Sequence, residues 1–172
     1  IEGVVGQPTM INPLITNGNE VDRDLQTIFF ENVVALSEKI SYEEEGKIWL
    51  VSLKPGLKWD DGEPLTSDDI IFTLHTAENP DVRSGLMTSW RGVRAERLTN
   101  TDVRFNLQAP YAFFEENLKQ LRIIPKHIFG SIPAENIRLS NYNLEPVGNG
   151  PFRFVQYEKR KDGFITKYRL EP

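Results

Sequence analysis

The stretch Pro-Gly-Leu-Lys-Trp-Asp-Asp-Gly-Glu-Pro-Leu-Thr-Ser-Asp-Asp-Ile-Ile-Phe occupies residues 55–72 and decides how the chain folds around it. Pro55-Gly56 follows an apolar run, and Asp61-Gly62 is a typical turn dipeptide. Thr66 stands three residues before Asp69, which is the spacing of a capping box. The stretch therefore predicts the end of a strand, a tight turn and the start of a helix in direct succession.

The capping box has a definite mechanism. The Thr66 hydroxyl can accept from the backbone N–H of Asp69, while the Asp69 carboxylate accepts from the backbone N–H of Thr66. Asp68 and Asp69 also lie favourably at the positive end of the helix dipole. We expect a helix from Ser67 to about Glu78, stopped by Asn79-Pro80.

The acidic residues of this stretch permit a second interpretation. Several carboxylates within ten residues could bind a hard cation such as calcium; they belong to Asp60, Asp61, Glu63, Asp68 and Asp69. Their spacing lacks the alternation and the closing glutamate of an EF-hand loop. We therefore favour a structural role and expect no metal or other cofactor.

Working outward, apolar periodicity predicts an α+β fold. Strands are indicated at 47–54, 93–98, 103–107, 152–157 and 164–170. Helices are indicated after Asn19, from Ser67, from Pro110 and briefly after Pro125 and Pro133. The segment Gly148-Asn149-Gly150 tolerates positive φ and lies between two prolines, so a sharp turn is expected there.

Composition and motifs exclude several classes of function. The 20 basic and 25 acidic residues form no basic stripe, so nucleic-acid binding is not expected. The absence of cysteine excludes disulfides and thiolate chemistry, and no apolar run reaches the length of a membrane span. Catalytic motifs are absent, and the isolated His75 and His127 are interpreted as structural residues. The sequence favours a binding protein over an enzyme.

Four blocks, in order along the chain, resemble the family 5 extracellular solute-binding proteins. They are Thr-Met-Ile-Asn-Pro-Leu at 9–14, the signature at 57–74, Ile-Pro-Lys-His at 124–127 and Pro-Val-Gly-Asn-Gly-Pro-Phe at 146–152. The resemblance implies a fold like that of type II periplasmic binding proteins. Residues 1–34 and 147–172 would then be pieces of the large ligand-binding lobe, and 35–146 a small α+β domain, with the C-terminal lobe absent from the chain.

The resemblance also implies a function. The protein would be the substrate-binding component of an ABC importer, which binds oligopeptide or dipeptide solutes and delivers them to a permease. It would be a monomer in the periplasm or outside the cell, with any signal or lipid anchor removed from its N-terminus. Two alternatives stay open: a ligand-sensing regulatory domain of the same fold, and a carrier of nickel or a metallophore.

Candidate ligand-binding residues follow from motif position in the family. Gln7, Pro8 and Thr9 come after a predicted strand at Gly3–Gly6, although a simple exit from strand to loop explains them equally well. Trp90 is the best aromatic candidate in the irregular segment 81–92, with packing as its alternative. Asn149 lies in the turn that the family places near the cleft.

Overall fold

The computed structural model describes residues 6–15 and 18–172. The helices are α1 (Glu20–Phe29), α2 (Val33–Leu36), α3 (Ser67–Glu78), α4 (Phe114–Gln120) and α5 (Lys126–Phe129). The strands are β1 (Ser37–Glu43), β2 (Ile48–Leu53), β3 (Arg94–Arg97), β4 (Asp102–Asn106), β5 (Arg153–Lys159) and β6 (Ile165–Glu171). Short 3-10 turns occur at Glu44–Gly46, Ala134–Leu139 and Asn141–Asn143. The predicted mixture of helix and sheet is confirmed.

A four-stranded antiparallel sheet forms the centre of the fold, in the order β1-β2-β4-β3. Strand β2 alternates as its sequence predicts, with Trp49, Val51 and Leu53 almost completely buried. Val103 and Phe105 of β4 pair with Val51 and Trp49 across the ladder, so one face of the sheet is apolar.

Helix α3 begins and ends where the sequence predicts. Both bonds of the capping box are present, and the Thr66 N–H donates to Asp69 Oδ2 at 2.9 Å. Ser67 fixes the same end of the helix to the sheet, because its hydroxyl donates to the carbonyl of Thr99 at 2.5 Å. The first turn of α3 is therefore bonded to the turn between β3 and β4.

The main core cluster extends from the sheet to Ile11 near the N-terminus and contacts the partly buried Leu170 near the C-terminus. Its aromatic centre comprises Trp49, Trp90, Phe105 and Phe114, whose rings contact one another in tilted or edge-to-face geometry with centroids 5.3 to 5.9 Å apart. A second cluster lies beneath α5 and the 3-10 turns; it contains Leu14, Ile15, Ala77, Val82, Ile124, Phe129 and Ile137.

Strands β5 and β6 form a separate two-stranded hairpin. Phe154, Tyr168 and Leu170 pack from it against the main core. The Tyr168 hydroxyl donates to the carbonyl of Leu144 at 2.9 Å, and burial raises the pKa of this phenol. The pairing of β5 with β6 agrees with the terminal hairpin that the sequence predicts around Lys161-Asp162-Gly163.

Some predicted boundaries are wrong. The helix expected from Pro110 starts at Phe114, because the backbone N–H of Tyr111 donates to the carbonyl of Gly46 and residues 112 and 113 form a turn before the helix. Phe113, which falls within the predicted helix, lies before it and is 70% exposed. Helix α2 and strand β1 were not predicted. The strand expected at Gly3–Gly6 lies almost wholly outside the described residues.

Within the described residues, no helix is both long enough and apolar enough to cross a membrane.

Candidate ligand-binding site

Asp22 organises the N-terminal segment that contains the predicted site residue Thr9. Its carboxylate is 1% exposed in the first turn of α1. It accepts from the Thr9 N–H at 2.8 Å, the Thr9 hydroxyl at 2.7 Å and the Met10 N–H at 3.0 Å. Bonds to a charged acceptor are short and strong, so the path of this segment is set by α1.

Gln7 connects the same segment to the terminal hairpin. Its side-chain oxygen accepts from the N–H of Ile165 at 3.1 Å, and its carbonyl accepts from the Asn19 carboxamide at 2.6 Å. The next residue, Pro8, is buried, whereas Thr9 is exposed. Of the three residues predicted here, Thr9 thus presents the most surface, and Gln7 and Pro8 position the backbone.

The turn at 148–150 meets the opposite end of α1. The N–H groups of Asn149 and Gly150 both donate to the carbonyl of Phe29, at 2.9 and 2.8 Å. The same turn also contacts the signature stretch, because the Asp60 carboxylate accepts from the N–H of Gly148 at 3.0 Å. The signature and the last motif block are therefore in direct contact.

The glycines of this turn are required for a reason other than the one predicted. Neither Gly148 nor Gly150 has a positive φ. A Cβ on Gly148 would lie 2.0 Å from the Phe29 carbonyl oxygen, and one on Gly150 would lie 2.4 Å from the Ile28 carbonyl oxygen. Close approach to the last turn of α1, and not conformational freedom, excludes a side chain here.

Asn149 is half-buried and uses its carboxamide oxygen to accept from the N–H of Glu31 at 2.8 Å. Its Nδ2 is buried with no hydrogen-bond partner. Asn149 and Thr9 contact α1 near Phe29 and at Asp22, seven residues apart, which corresponds to about 10 Å along the helix axis. The structure therefore places these two predicted residues along one helix but not side by side.

Trp90 lies in the core. Its indole is 2% exposed and contacts the rings of Phe105 and Phe114 at centroid distances of 5.9 and 5.3 Å. This burial favours the packing role that the sequence left open. A ligand would have to displace core residues to reach the ring.

The carboxylates of the signature stretch serve different structural partners. Asp69 accepts from the Thr66 N–H and, at 2.9 Å, from the Lys126 N–H, so it links the helix start to the Ile-Pro-Lys-His block. Asp61 pairs with His127 Nε2 at 2.7 Å. Among the described residues, no three His, Asp or Glu side chains gather at a distance suitable for a metal ion.

Burial changes the electrostatics of two of these carboxylates. It raises the pKa of Asp60 above its ordinary value, although the Gly148 N–H and Arg153 oppose the shift. It raises the pKa of Asp69 as well, against the N–H groups of Thr66 and Lys126. Backbone N–H groups donate to both carboxylates, so these two side chains join separate segments of the chain.

Two open grooves flank the Asp61–His127 pair. One, of about 480 Å³, lies between the signature turn and the β5–β6 hairpin and includes Asp60, Arg153 and Phe154. The other, of about 450 Å³, lies beside the start of α3 and includes Asp69 and His127. None of the five residues predicted to bind a ligand lines either groove.

Arg122 is a candidate that sequence reasoning missed. It is half-buried beside the N-terminus of α2, in an antiparallel bridge with Asn32. Its Nε is buried without a hydrogen-bond partner, and burial lowers the pKa of the guanidinium. No pattern in the sequence distinguishes it from a surface arginine, because the burial of its Nε results from tertiary packing.

Comparison with known proteins decides the family. The sequence profile described as "Bacterial extracellular solute-binding proteins, family 5 Middle" matches residues 31–167. The chain belongs to this family. The resemblance predicted from the four motif blocks is therefore confirmed.

Among family 5 relatives, the oligopeptide-binding protein AppA of Bacillus subtilis is 27% identical over 172 aligned residues, covering 92% of this chain and 32% of AppA. The structure of AppA in complex with a nonapeptide superposes with a TM-score of 0.82 at 25% identity, over 91% of this chain and 33% of that one.

Two other solved structures share the fold. The ABC transporter substrate-binding protein CtaP of Listeria monocytogenes has a TM-score of 0.80 at 32% identity, covering 90% of this chain and 33% of CtaP. NikZ of Campylobacter jejuni, solved in complex with Ni(L-His), has a TM-score of 0.73 at 23% identity, covering 92% of this chain and 32% of NikZ; this match shows the fold alone.

These structures identify the fold as that of type II periplasmic binding proteins. The chain spans about a third of the length of the relatives that it matches and covers a portion of their larger lobe. These relatives are substrate-binding transport proteins and not enzymes.

Proposed function

We propose that residues 1–172 form part of a longer two-lobed receptor, called the parent protein below, which binds oligopeptides for an ABC importer. The observation that carries this proposal is the superposition with AppA, whose structure contains a bound nonapeptide. Membership of an extracellular solute-binding family supports a location in the periplasm or outside the cell.

The proposed division of the chain follows the hydrogen bonds between its N-terminal and C-terminal segments. Residues 1–34 and 147–172 would belong to the large lobe, since Gln7 bonds to Ile165 and the 148–150 turn bonds to Phe29. Residues 35–146 would form the small domain around the four-stranded sheet. Ile11 and Asn143 cross this boundary through a backbone bond of 2.7 Å, so the two parts pack closely.

The proposed mechanism is closure of two lobes on the solute. A peptide would enter between the lobes, and a hinge movement would bury it before the closed form, acting as a monomer, docks on the permease. Main-chain hydrogen bonds would bind the peptide backbone irrespective of sequence. The exposed residue Thr9 and the turn that contains Asn149 are the proposed contributions of this chain to the cleft. Trp90 is left out because of its burial.

The nickel alternative has less support in the described residues. His75 is exposed on α3, His127 pairs with Asp61, and these two side chains lie on different elements. A regulatory domain of the same fold is an alternative that no contact in the structure favours. We therefore retain peptide import as the one proposed function, without a catalytic role.

Native mass spectrometry of the parent protein, purified from its own host without denaturation, tests the solute class. We expect mass increments that fragment into amino-acid residues and that disappear after unfolding and refolding. Increments that correspond to nickel or a nickel chelate would contradict the peptide proposal. A matched sample dialysed against metal-free buffer separates adventitious metal from bound solute.

A further inference from the structure

The segment that forms the β5–β6 hairpin differs in charge from the rest of the molecule. Residues 151–172 contain six of the 20 basic and three of the 25 acidic residues, which leaves 14 basic and 22 acidic residues in 1–150. The net charge of the hairpin segment is therefore +3 and that of the remainder −8, in agreement with −5 for the whole chain. The molecule thus has a positive end and a negative body, and an external field of one sign orients it.

The positive charge of the hairpin is exposed and only partly paired. Its six basic side chains all reach solvent; they belong to Arg153, Lys159, Arg160, Lys161, Lys167 and Arg169. Each acidic side chain of the hairpin already has a basic partner, in the pairs Arg153–Glu171 at 3.0 Å, Arg160–Asp162 at 2.9 Å and Lys167–Glu158 at 3.2 Å. Among the described residues, no ion pair includes Lys159 or Lys161, although the Lys159 ammonium lies 5.7 Å from the centroid of the Tyr157 ring. Two of the three excess charges therefore lie beside the turn of the hairpin.

The hairpin tip, residues 159–164, is a hydrogen-bonded turn that faces solvent. The N–H of Gly163 donates to the carbonyl of Arg160 at 2.9 Å, and the N–H of Phe164 donates to the Asp162 carboxylate at 3.0 Å. A Cβ on Gly163 would meet no atom within 4 Å, so this side of the turn is open. The Phe164 ring is 40% exposed, and the Arg160 guanidinium lies over it at 4.7 Å from the centroid. An aromatic ring and several cations are thus presented together.

This combination fits the surface of an anionic phospholipid membrane. Lysine and arginine side chains are attracted to the negative charge of such a surface, and exposed aromatic rings favour the boundary between headgroups and acyl chains. A turn with dispersed cations suits a continuous layer of headgroups. The same layer repels the acidic remainder of the molecule, so the charge asymmetry favours an orientation with the hairpin toward the lipid.

We propose that the hairpin tip contacts the anionic phospholipids of the membrane that carries the permease. This inference rests on the proposed function, because that function places the protein beside this membrane. The contact is weak and reversible, since each basic residue near an anionic surface strengthens binding only about fivefold. It orients the parent protein on the membrane before the closed form docks on the permease.

Sedimentation of the parent protein with lipid vesicles tests the proposal. One set of vesicles contains phosphatidylcholine alone, and the other contains equal parts of phosphatidylcholine and phosphatidylglycerol. The ratio of the two partition coefficients cancels any affinity that is independent of lipid charge. We expect the unsubstituted protein to favour the anionic vesicles by about tenfold or more at low salt, and physiological salt should reduce this ratio.

The double variant Lys159→Gln/Lys161→Gln removes both unpaired charges at the tip and should abolish the preference. Lys39→Gln/Lys47→Gln is the matched control, because these two lysines are also exposed but lie on β1 and directly before β2. It removes the same charge from the acidic body and should leave the ratio unchanged. Equal ratios in the two double variants would overturn the inference, since net charge alone would then explain the binding.

Absence of a preference in the unsubstituted protein would also overturn the inference and would favour an acidic protein surface as the partner of the tip. Vesicle binding requires no peptide, whereas peptide titration of the same samples requires no vesicle. Failure of this inference is therefore distinguishable from failure of the proposed function.

Discussion

Asp60 and Gly148, which are 88 residues apart, are joined by two reciprocal hydrogen bonds. The Gly148 N–H donates to Asp60 Oδ2 at 3.0 Å, and the Asp60 N–H donates to the Gly148 carbonyl at 2.9 Å. This pair connects the signature turn to the turn that leads into β5. Two motif blocks that identify the family are thus parts of one structural joint.

The raised pKa of Asp60 predicts a pH-dependent contribution to stability. Between the ordinary value of 3.8 and the raised folded value, the folded protein retains a proton that the unfolded chain has lost. Stability from this group is therefore present at low pH and decreases as pH rises through the folded pKa. Asp60→Asn retains the acceptor but cannot ionise.

Urea unfolding of both forms between pH 3.5 and 7 measures this effect. The free energy of unfolding of the unsubstituted protein, minus that of Asp60→Asn, should decrease as pH rises. A difference that increases with pH would show that ionisation of Asp60 stabilises the fold. Asp24→Asn, an exposed change on α1, provides the baseline.

Gly148→Ala should be strongly destabilising. The new Cβ would lie 2.0 Å from a backbone carbonyl that cannot rotate away, so α1 or the turn must shift. We expect a loss of about 3 kcal/mol or more in the free energy of unfolding. Gly56→Ala is the control, because its φ is +73° but its Cβ would meet no atom within 4 Å; it should lose about 1 kcal/mol. Equal losses would contradict the close-approach explanation.

Thr66→Ala removes one half of the capping box and should cost about 1 kcal/mol. Thr66→Ser retains a hydroxyl at the same position and should cost much less. Chemical denaturation of the three forms gives the comparison. If serine and alanine are equally destabilising, the methyl group of Thr66 and not its hydroxyl supports the helix start.

Asp22→Asn should loosen the N-terminal segment. The carboxylate accepts three hydrogen bonds from Thr9 and Met10, and a neutral amide cannot satisfy the same donors with the same strength. We expect a loss of about 2 kcal/mol and faster amide exchange at Thr9 and Met10. Asp24→Asn, exposed on the same helix, should change neither quantity. Unchanged exchange at Thr9 in Asp22→Asn would contradict this role.

Local signals in the sequence predicted much of the fold. Helix α3 and the β3–β4 hairpin were predicted because caps and turn residues act within a few positions. The start of α4 was misplaced because a distant carbonyl, that of Gly46, holds Tyr111. Strand β1 was not predicted because, unlike β2, it has no regular alternation of buried and exposed residues.

The candidate site was harder to predict than the fold. The family motifs located the turn around Asn149, yet the reason for its glycines is a contact with Phe29, more than 100 residues away. The burial of Trp90 depends on Phe105 and Phe114, which no local pattern associates with it. The buried, unpartnered Nε of Arg122 likewise depends on packing in the folded chain, where Arg122 lies opposite Asn32.

We propose that this chain is part of a peptide receptor whose cleft needs both lobes. Calorimetric titration of a mixed library of di- to pentapeptides into the parent protein, and separately into residues 1–172, tests it most directly. We predict heat of binding with the parent protein and none with residues 1–172. Tight binding by residues 1–172 alone, at micromolar or lower Kd, would contradict the two-lobed cleft, and absence of heat in both would contradict the peptide assignment.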